Sequence, residues 1–115
     1  MNFERGDIIW VWIPESWKSF DPHESRPALV LSVLPNKTLG IAMMGSQVAK
    51  EKLLVGDVVI PAQEGTGLSR EGKVKCYAVA AISRRLVKSK VGRLPERFWP
   101  AIEAGLNIRY PKSMI

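Results

Sequence analysis

Ala28-Leu29-Val30-Leu31 is the stretch that most limits what this chain can become. A near-continuous apolar run of this length fits a strand covered on both faces. Pro27, which has no N–H to give a ladder, suits the first residue of such a strand. Arg26 then stands where a loop hands the chain to the core. A guanidinium held there is fixed at its base and free at its tip, and its planar fork suits phosphate oxygens. The same placement also suits an ion pair with a carboxylate at the strand end.

Asp7 to Ile13 reads as a strand of the same kind, rich in β-branched and aromatic residues. Ile8, Trp10 and Trp12 point one way and Ile9, Val11 and Ile13 the other, so both faces need cover. One face can fill a barrel interior; the other calls for a helix, a loop or a second subunit. Residues 14–25 form a loop long enough to suggest function or mobility. Its Trp17 and Phe20 can stack on bases or fold back onto the domain. Pro27 to about Leu34 and Leu39 to Met44 make a hairpin around Pro35-Asn36-Lys37-Thr38. Val58 to Pro61 and Lys73 to Ala80 read as further strands, and Ile82 to Val91 as a basic extended segment broken by Gly92. Pro95 to about Ile108 carries Phe98, Ile102 and Leu106 on one stripe, the only helical pattern. Pro100 either kinks that helix or moves its start, and Gly105 weakens it. The expected fold is mainly β with a C-terminal helix: a single domain over residues 1–115, built as a small curved sheet or barrel closed on one side by the helix.

Composition matters here mainly for what it excludes. No apolar run approaches the ~20 residues that span a bilayer, and the N-terminus lacks a basic region followed by an apolar one. Cys76 is the only cysteine and His23 the only histidine, so no intrachain disulfide and no zinc site built from them is expected. These features point to a cytoplasmic protein without a metal, a cofactor or a membrane partner. Residues 1–57 carry six Lys or Arg against seven Asp or Glu, a net of −1; residues 58–115 carry eleven against four, a net of +7. The basic run through Arg70, Lys73, Lys75, Arg84, Arg85, Lys88, Lys90, Arg93 and Arg97 is either a phosphate-attracting field or a solvated face.

Arg5-Gly6-Asp7-Ile8-Ile9-Trp10-Val11 followed by Arg26-Pro27-Ala28-Leu29-Val30-Leu31-Ser32 resembles the MazF/PemK (Kid/CcdB-like) family of toxin–antitoxin endoribonucleases. The resemblance continues through Ala42-Met43-Met44-Gly45-Ser46-Gln47, Gly67-Leu68-Ser69, Ile82-Ser83-Arg84-Arg85-Leu86 and Gly92-Arg93-Leu94. It implies an SH3-like barrel in a homodimer, which the two apolar faces of residues 8–13 also motivate. It further implies a cognate antitoxin and metal-independent cleavage of single-stranded RNA by attack of a ribose 2′-OH on the adjacent phosphate. Gly45 stands where the family usually has threonine, with Ser46 next to it. Tyr77-Ala78 stand where many members have Asp-Gln.

That chemistry needs a base, a stabiliser of phosphate charge and an acid for the leaving 5′-oxygen. The resemblance gives the stabilising role to Arg26, and Ser46 is placed to bond the phosphate or the 2′-OH. His23 is the acid–base candidate by chemistry, with a solvated loop histidine as the plain reading. Glu24 is a second base candidate, or an ion-pair partner. Lys75 and Tyr77 are read as facing opposite ways, so that only one is expected at the site. Lys73, Lys75, Tyr77, Arg84, Arg85, Lys88, Trp17 and Phe20 are the candidate RNA-binding residues. The alternative is a catalytically degenerate SH3-like module that binds RNA or a partner protein without cutting.

Overall fold

The computed structural model describes residues 2–19, 21–45 and 53–110. Six strands form one antiparallel sheet: β1 (Asp7–Trp12), β2 (Ser25–Leu34), β3 (Thr38–Gly45), β4 (Val58–Ile60), β5 (Gly72–Ser83) and β6 (Val87–Arg93), in the order β4-β5-β3-β2-β1-β6. Among the described residues the one α-helix is α1 (Trp99–Arg109). The sheet curls without closing, because β4 and β6 each pair on one side only; the expected barrel is an open one. None of the described helices is long and apolar enough to cross a membrane.

The strands fall where the apolar runs lie. β2 and β3 join through a turn at Pro35–Lys37 in which Asn36 and Lys37 both take positive φ, the conformation that matches strand twist in a tight hairpin. The sharpest bend is in β5. Between the pairs Ala42↔Val79 and Met44↔Val74, Met43 alone faces four residues of β5, residues 75–78. Extra residues on one strand bend it, and this corner carries β5 from β3 towards β4.

Much of β1 is covered within the chain. On one face Ile8, Leu29, Met44, Val74 and Cys76 pack under Leu94, Trp99 and Ile102. On the other, Ile9, Val11, Ala28, Val30 and Ile41 pack with Phe3, and Trp17 folds onto them. A helix and a loop supply this cover, whereas Trp10 is half-buried and Trp12 is exposed.

Two glycines act differently from their sequence reading. Gly92 does not break the basic segment; it lies inside β6, where a Cβ would strike the Thr66 backbone. Gly105 lets α1 approach the Gly56 carbonyl and the Cys76 sulfur, which a side chain would prevent. Pro100 moves the helix start: a 3-10 turn spans Glu96–Phe98, and α1 begins at Trp99 with Pro100 in its first turn, where a missing N–H costs nothing.

The Arg5-Gly6-Asp7 motif is a structural clasp. Asp7 is buried and accepts from Arg93 Nη1 at 2.6 Å and from the Glu4 N–H at 2.8 Å. Arg93 Nη2 also donates to the Arg5 carbonyl. Lys73 is a correction to the RNA-binding set: its side chain is only 3% exposed, with Nζ 3.8 Å from the buried Asp57 carboxylate. An ammonium enclosed in this way is held by its interior partners and does not meet a ligand in solvent.

Candidate active site

The site grows from the loop between β1 and β2. Its base is closed by the Ile13 N–H donating to the Glu24 carbonyl at 2.9 Å. Within it a 3-10 turn at Glu15–Trp17 is followed by Asp21, whose N–H donates to the Trp17 carbonyl. Asp21 Oδ1 accepts from the His23 N–H at 3.1 Å, the local turn that aspartate favours ahead of proline. Lys18 Nζ donates to the His23 carbonyl at 2.9 Å. These bonds give the twelve-residue connection a fixed shape that propensity alone did not suggest.

Arg26 leaves the start of β2 into that shape. Its Nε donates to Asp21 Oδ2 at 3.1 Å, and its Nη2 lies 2.9 Å from His23 Nδ1. Nη1 makes no bond among the described residues. His23 Nδ1 also lies 2.9 Å from Asp21 Oδ1. One ring nitrogen cannot serve both partners at once. Unprotonated, Nδ1 accepts from Arg26; protonated, it donates to Asp21. Burial pushes the Asp21 carboxyl up, but the bonds from His23 and from Arg26, with the arginine's charge, outweigh it. Asp21 is thus held below the ordinary value of 3.8 and is a carboxylate at neutral pH.

A cleft of about 520 Å³ opens beside this cluster, lined by Trp17, Asp21, Arg26, Met43, Lys75 and Tyr77 and closed along β5 by residues 78–80. Lys75 and Tyr77 both reach it. Residues two apart on a strand share a face, so the expectation that only one of them could do so is corrected. The β5 corner turns this pair towards the cleft and Cys76 into the core. Tyr77 is 40% exposed. Trp17 folds back onto the domain, packing on the core while lining the cleft.

Other candidates lie elsewhere. Glu24 is exposed, and its carboxylate touches neither Arg26 nor His23. Arg84 sits over the Phe3 ring at 5.0 Å and Lys88 over the Trp12 ring at 4.8 Å; neither they nor Arg85 line the cleft. Lys88 and Lys90 belong to the edge strand β6, where lysines discourage edge-to-edge pairing. Ser46 and Phe20 lie outside the described residues. Asp21 is the residue of this cluster that sequence reasoning missed. Its signal was available: an Asp-Pro pair ahead of an arginine in the same loop, with the spacing of a local turn. Among the described residues no three His, Cys, Asp or Glu side chains gather to hold a metal.

Residues 4–109 match the sequence profile of the PemK-like, MazF-like toxins of type II toxin–antitoxin systems. The chain belongs to this family. No curated protein is significantly similar in sequence. Among solved structures, the Mycobacterium tuberculosis toxin MazF-mt6 is similar, with a TM-score of 0.70 at 19% identity over 90% of this chain and 95% of that one. An endoribonuclease from a mycobacterial species, solved in complex with its cognate antitoxin, gives a TM-score of 0.72 at 10% identity over 96% and 97%. A further mycobacterial endoribonuclease gives 0.69 at 11% identity over 96% and 93%. At these identities the likeness is one of fold. In this PemK-like chain, the cleft at the mouth of β2 brings Arg26 and Asp21 together with Trp17 and Tyr77, and His23 lies against Arg26 and Asp21 beside it.

Proposed function

We propose that this PemK-like chain is an endoribonuclease toxin that cuts single-stranded RNA in the cytoplasm and is neutralised by a cognate antitoxin. The observation that carries the proposal is the Asp21–Arg26–His23 cluster at the edge of an aromatic-walled cleft. The similar endoribonuclease bound to its antitoxin supports both the activity and the partner.

The reaction forms a bond from the 2′-oxygen to phosphorus and breaks the bond from phosphorus to the 5′-oxygen. It leaves a 2′,3′-cyclic phosphate and a 5′-hydroxyl. The phosphorane between them carries more negative charge than the diester, so a preoriented guanidinium binds it more tightly than the substrate. Asp21 sets that orientation by holding Nε, which leaves Nη1 for a phosphate oxygen. His23 moves the protons. With its Nδ1 proton on Asp21, the neutral ring offers Nε2 as a base to the 2′-OH. As imidazolium it keeps that bond and offers Nε2–H to the leaving 5′-oxygen. Trp17 and Tyr77 provide flat surfaces for bases, and Lys75 a cation for the backbone.

Binding without cleavage is the second reading. It is favoured by the cleft's wall at Tyr77 and Ala78, which supplies no carboxylate, and by Asp21 being tied to Arg26. The separating experiment incubates the pure protein with end-labelled RNA in the presence of a chelator and identifies the product ends. Cyclic phosphate and 5′-hydroxyl ends are expected; intact RNA across several diverse sequences would leave only the binding reading. A homodimer belongs to the same proposal. Its support is the exposed apolar side chains of Val79 and Tyr110, which share a shallow cavity with Leu31 and with Leu106 of α1.

A further inference from the structure

The mouth of β2 has a second side. Arg26 and Pro27 are consecutive, so their side chains leave opposite faces of the sheet, as do those of Met43 and Met44. Arg26 and Met43 line the cleft described above. Pro27 and Met44, with Gly45, line a smaller cavity of about 180 Å³. Trp10, in register with Pro27 across β1 and β2, forms one wall. Leu68, Ser69 and Arg70, from the loop ahead of β5, complete the lining. The two cavities therefore stand back to back across strand ends that stop at Trp12, Ser25 and Gly45. A nucleic acid strand with a phosphate at Arg26 reaches the second cavity by passing round that rim.

The polar groups at this cavity are uncommitted among the described residues. Arg5, Arg26, Arg93, Arg97 and Arg109 all bond to other groups of the chain. The Arg70 guanidinium, the Ser69 hydroxyl and the Trp10 indole N–H make no bond among the described residues. Indole and guanidinium only donate. The cavity is smaller than the ~300–1,000 Å³ of a drug-sized site. Apolar walls for the faces of a flat ring, with donors for its edge, are what a single nucleobase requires.

We propose that this cavity binds one base of the RNA next to the phosphate held at Arg26, and that it selects a base presenting acceptors without an amino group on that edge, uracil or guanine. The proposal rests on the RNA reading given above. Arg70 is its specificity residue: a guanidinium fork takes guanine O6 and N7 together, or a uracil carbonyl singly. Cytosine and adenine would turn an amino group towards donors.

The test uses binding, so that it stands apart from cleavage. A random RNA pool carrying 2′-fluoro groups lacks the attacking hydroxyl and is not cut. The pool is bound by the full chain and by Arg70→Ala, and the retained sequences are read. Arg70 is exposed, so its truncation removes no core contact. The wild type is expected to enrich uracil or guanine about tenfold at one position, the base enriched naming the ligand, and Arg70→Ala to lose that preference alone. Equal preference in both proteins overturns the proposal. So does a uniform loss of affinity across all sequences, which marks a phosphate contact. Weaker antitoxin binding by Arg70→Ala with base preference unchanged also overturns it and gives the cavity to the protein partner. A wild type that binds the pool without any base preference overturns this inference alone, whereas one that binds no RNA overturns the RNA reading with it.

Discussion

Asp21 does at the residue scale what Arg26 cannot do alone. A guanidinium at a strand mouth has a fixed base but a mobile fork, and the carboxylate fixes the fork through Nε. The same carboxylate caps the turn that carries His23 and sets which proton the imidazole holds. Asp21→Asn is therefore expected to slow cleavage at least about tenfold without unfolding the protein, since it removes the charge that orients both partners. The variant also has a pH signature. Because the folded carboxyl is held below 3.8, its stabilising contribution is fully present above that value and is lost as pH falls through the lower, folded one. Thermal unfolding of wild type and Asp21→Asn should thus differ at neutral and mildly acidic pH and converge only below 3.8. Convergence already near pH 6 would show that the ion pair does not stabilise the loop.

At the scale of elements, the strands were legible because their signals are local: apolar runs, β-branched content, and prolines and glycines at the joints. Of the helix stripe, Ile102 and Leu106 lie in α1, while Phe98 falls in the 3-10 turn ahead of it. What could not be read was anything set by a register irregularity. The β5 corner depends on how many residues face Met43, and nothing in Lys75-Cys76-Tyr77-Ala78 announces that. The interior position of Lys73 follows from its pairing opposite Gly45 and from Asp57, two contacts distant in sequence. For the site, Arg26 and His23 were readable as residue types in a loop, whereas Asp21 required the turn to be seen. The basic run divides in the same way: Lys75 lines the cleft, while Lys88 protects the edge of β6 and covers Trp12. Lys75→Gln should lower the salt slope of RNA binding by about one, and Lys88→Gln should leave it unchanged. The reverse order, measured by fluorescence anisotropy across a salt series, would place the backbone track on β6 instead.

For the whole molecule, the case for a second subunit rests on exposed apolar side chains, Trp12 at the end of β1 and the Val79–Tyr110 pair beside α1. Light scattering at micromolar concentration should give twice 12.8 kDa, and a clean monomer would remove the dimer from the proposal. The central claim is narrower: this fold positions one guanidinium to stabilise the transition state of RNA cleavage. It is tested most directly by comparing cleavage of one RNA, in chelator, by wild type, Arg26→Ala and Arg26→Lys, with folding checked by circular dichroism. The Arg26 side chain is 20% exposed at a strand mouth, so its loss should leave the fold intact. The expected result is a fall of ~10²–10³-fold for Arg26→Ala, with little recovery in Arg26→Lys, which keeps the charge but not the fork. Folded Arg26→Ala cutting at the wild-type rate would contradict the account.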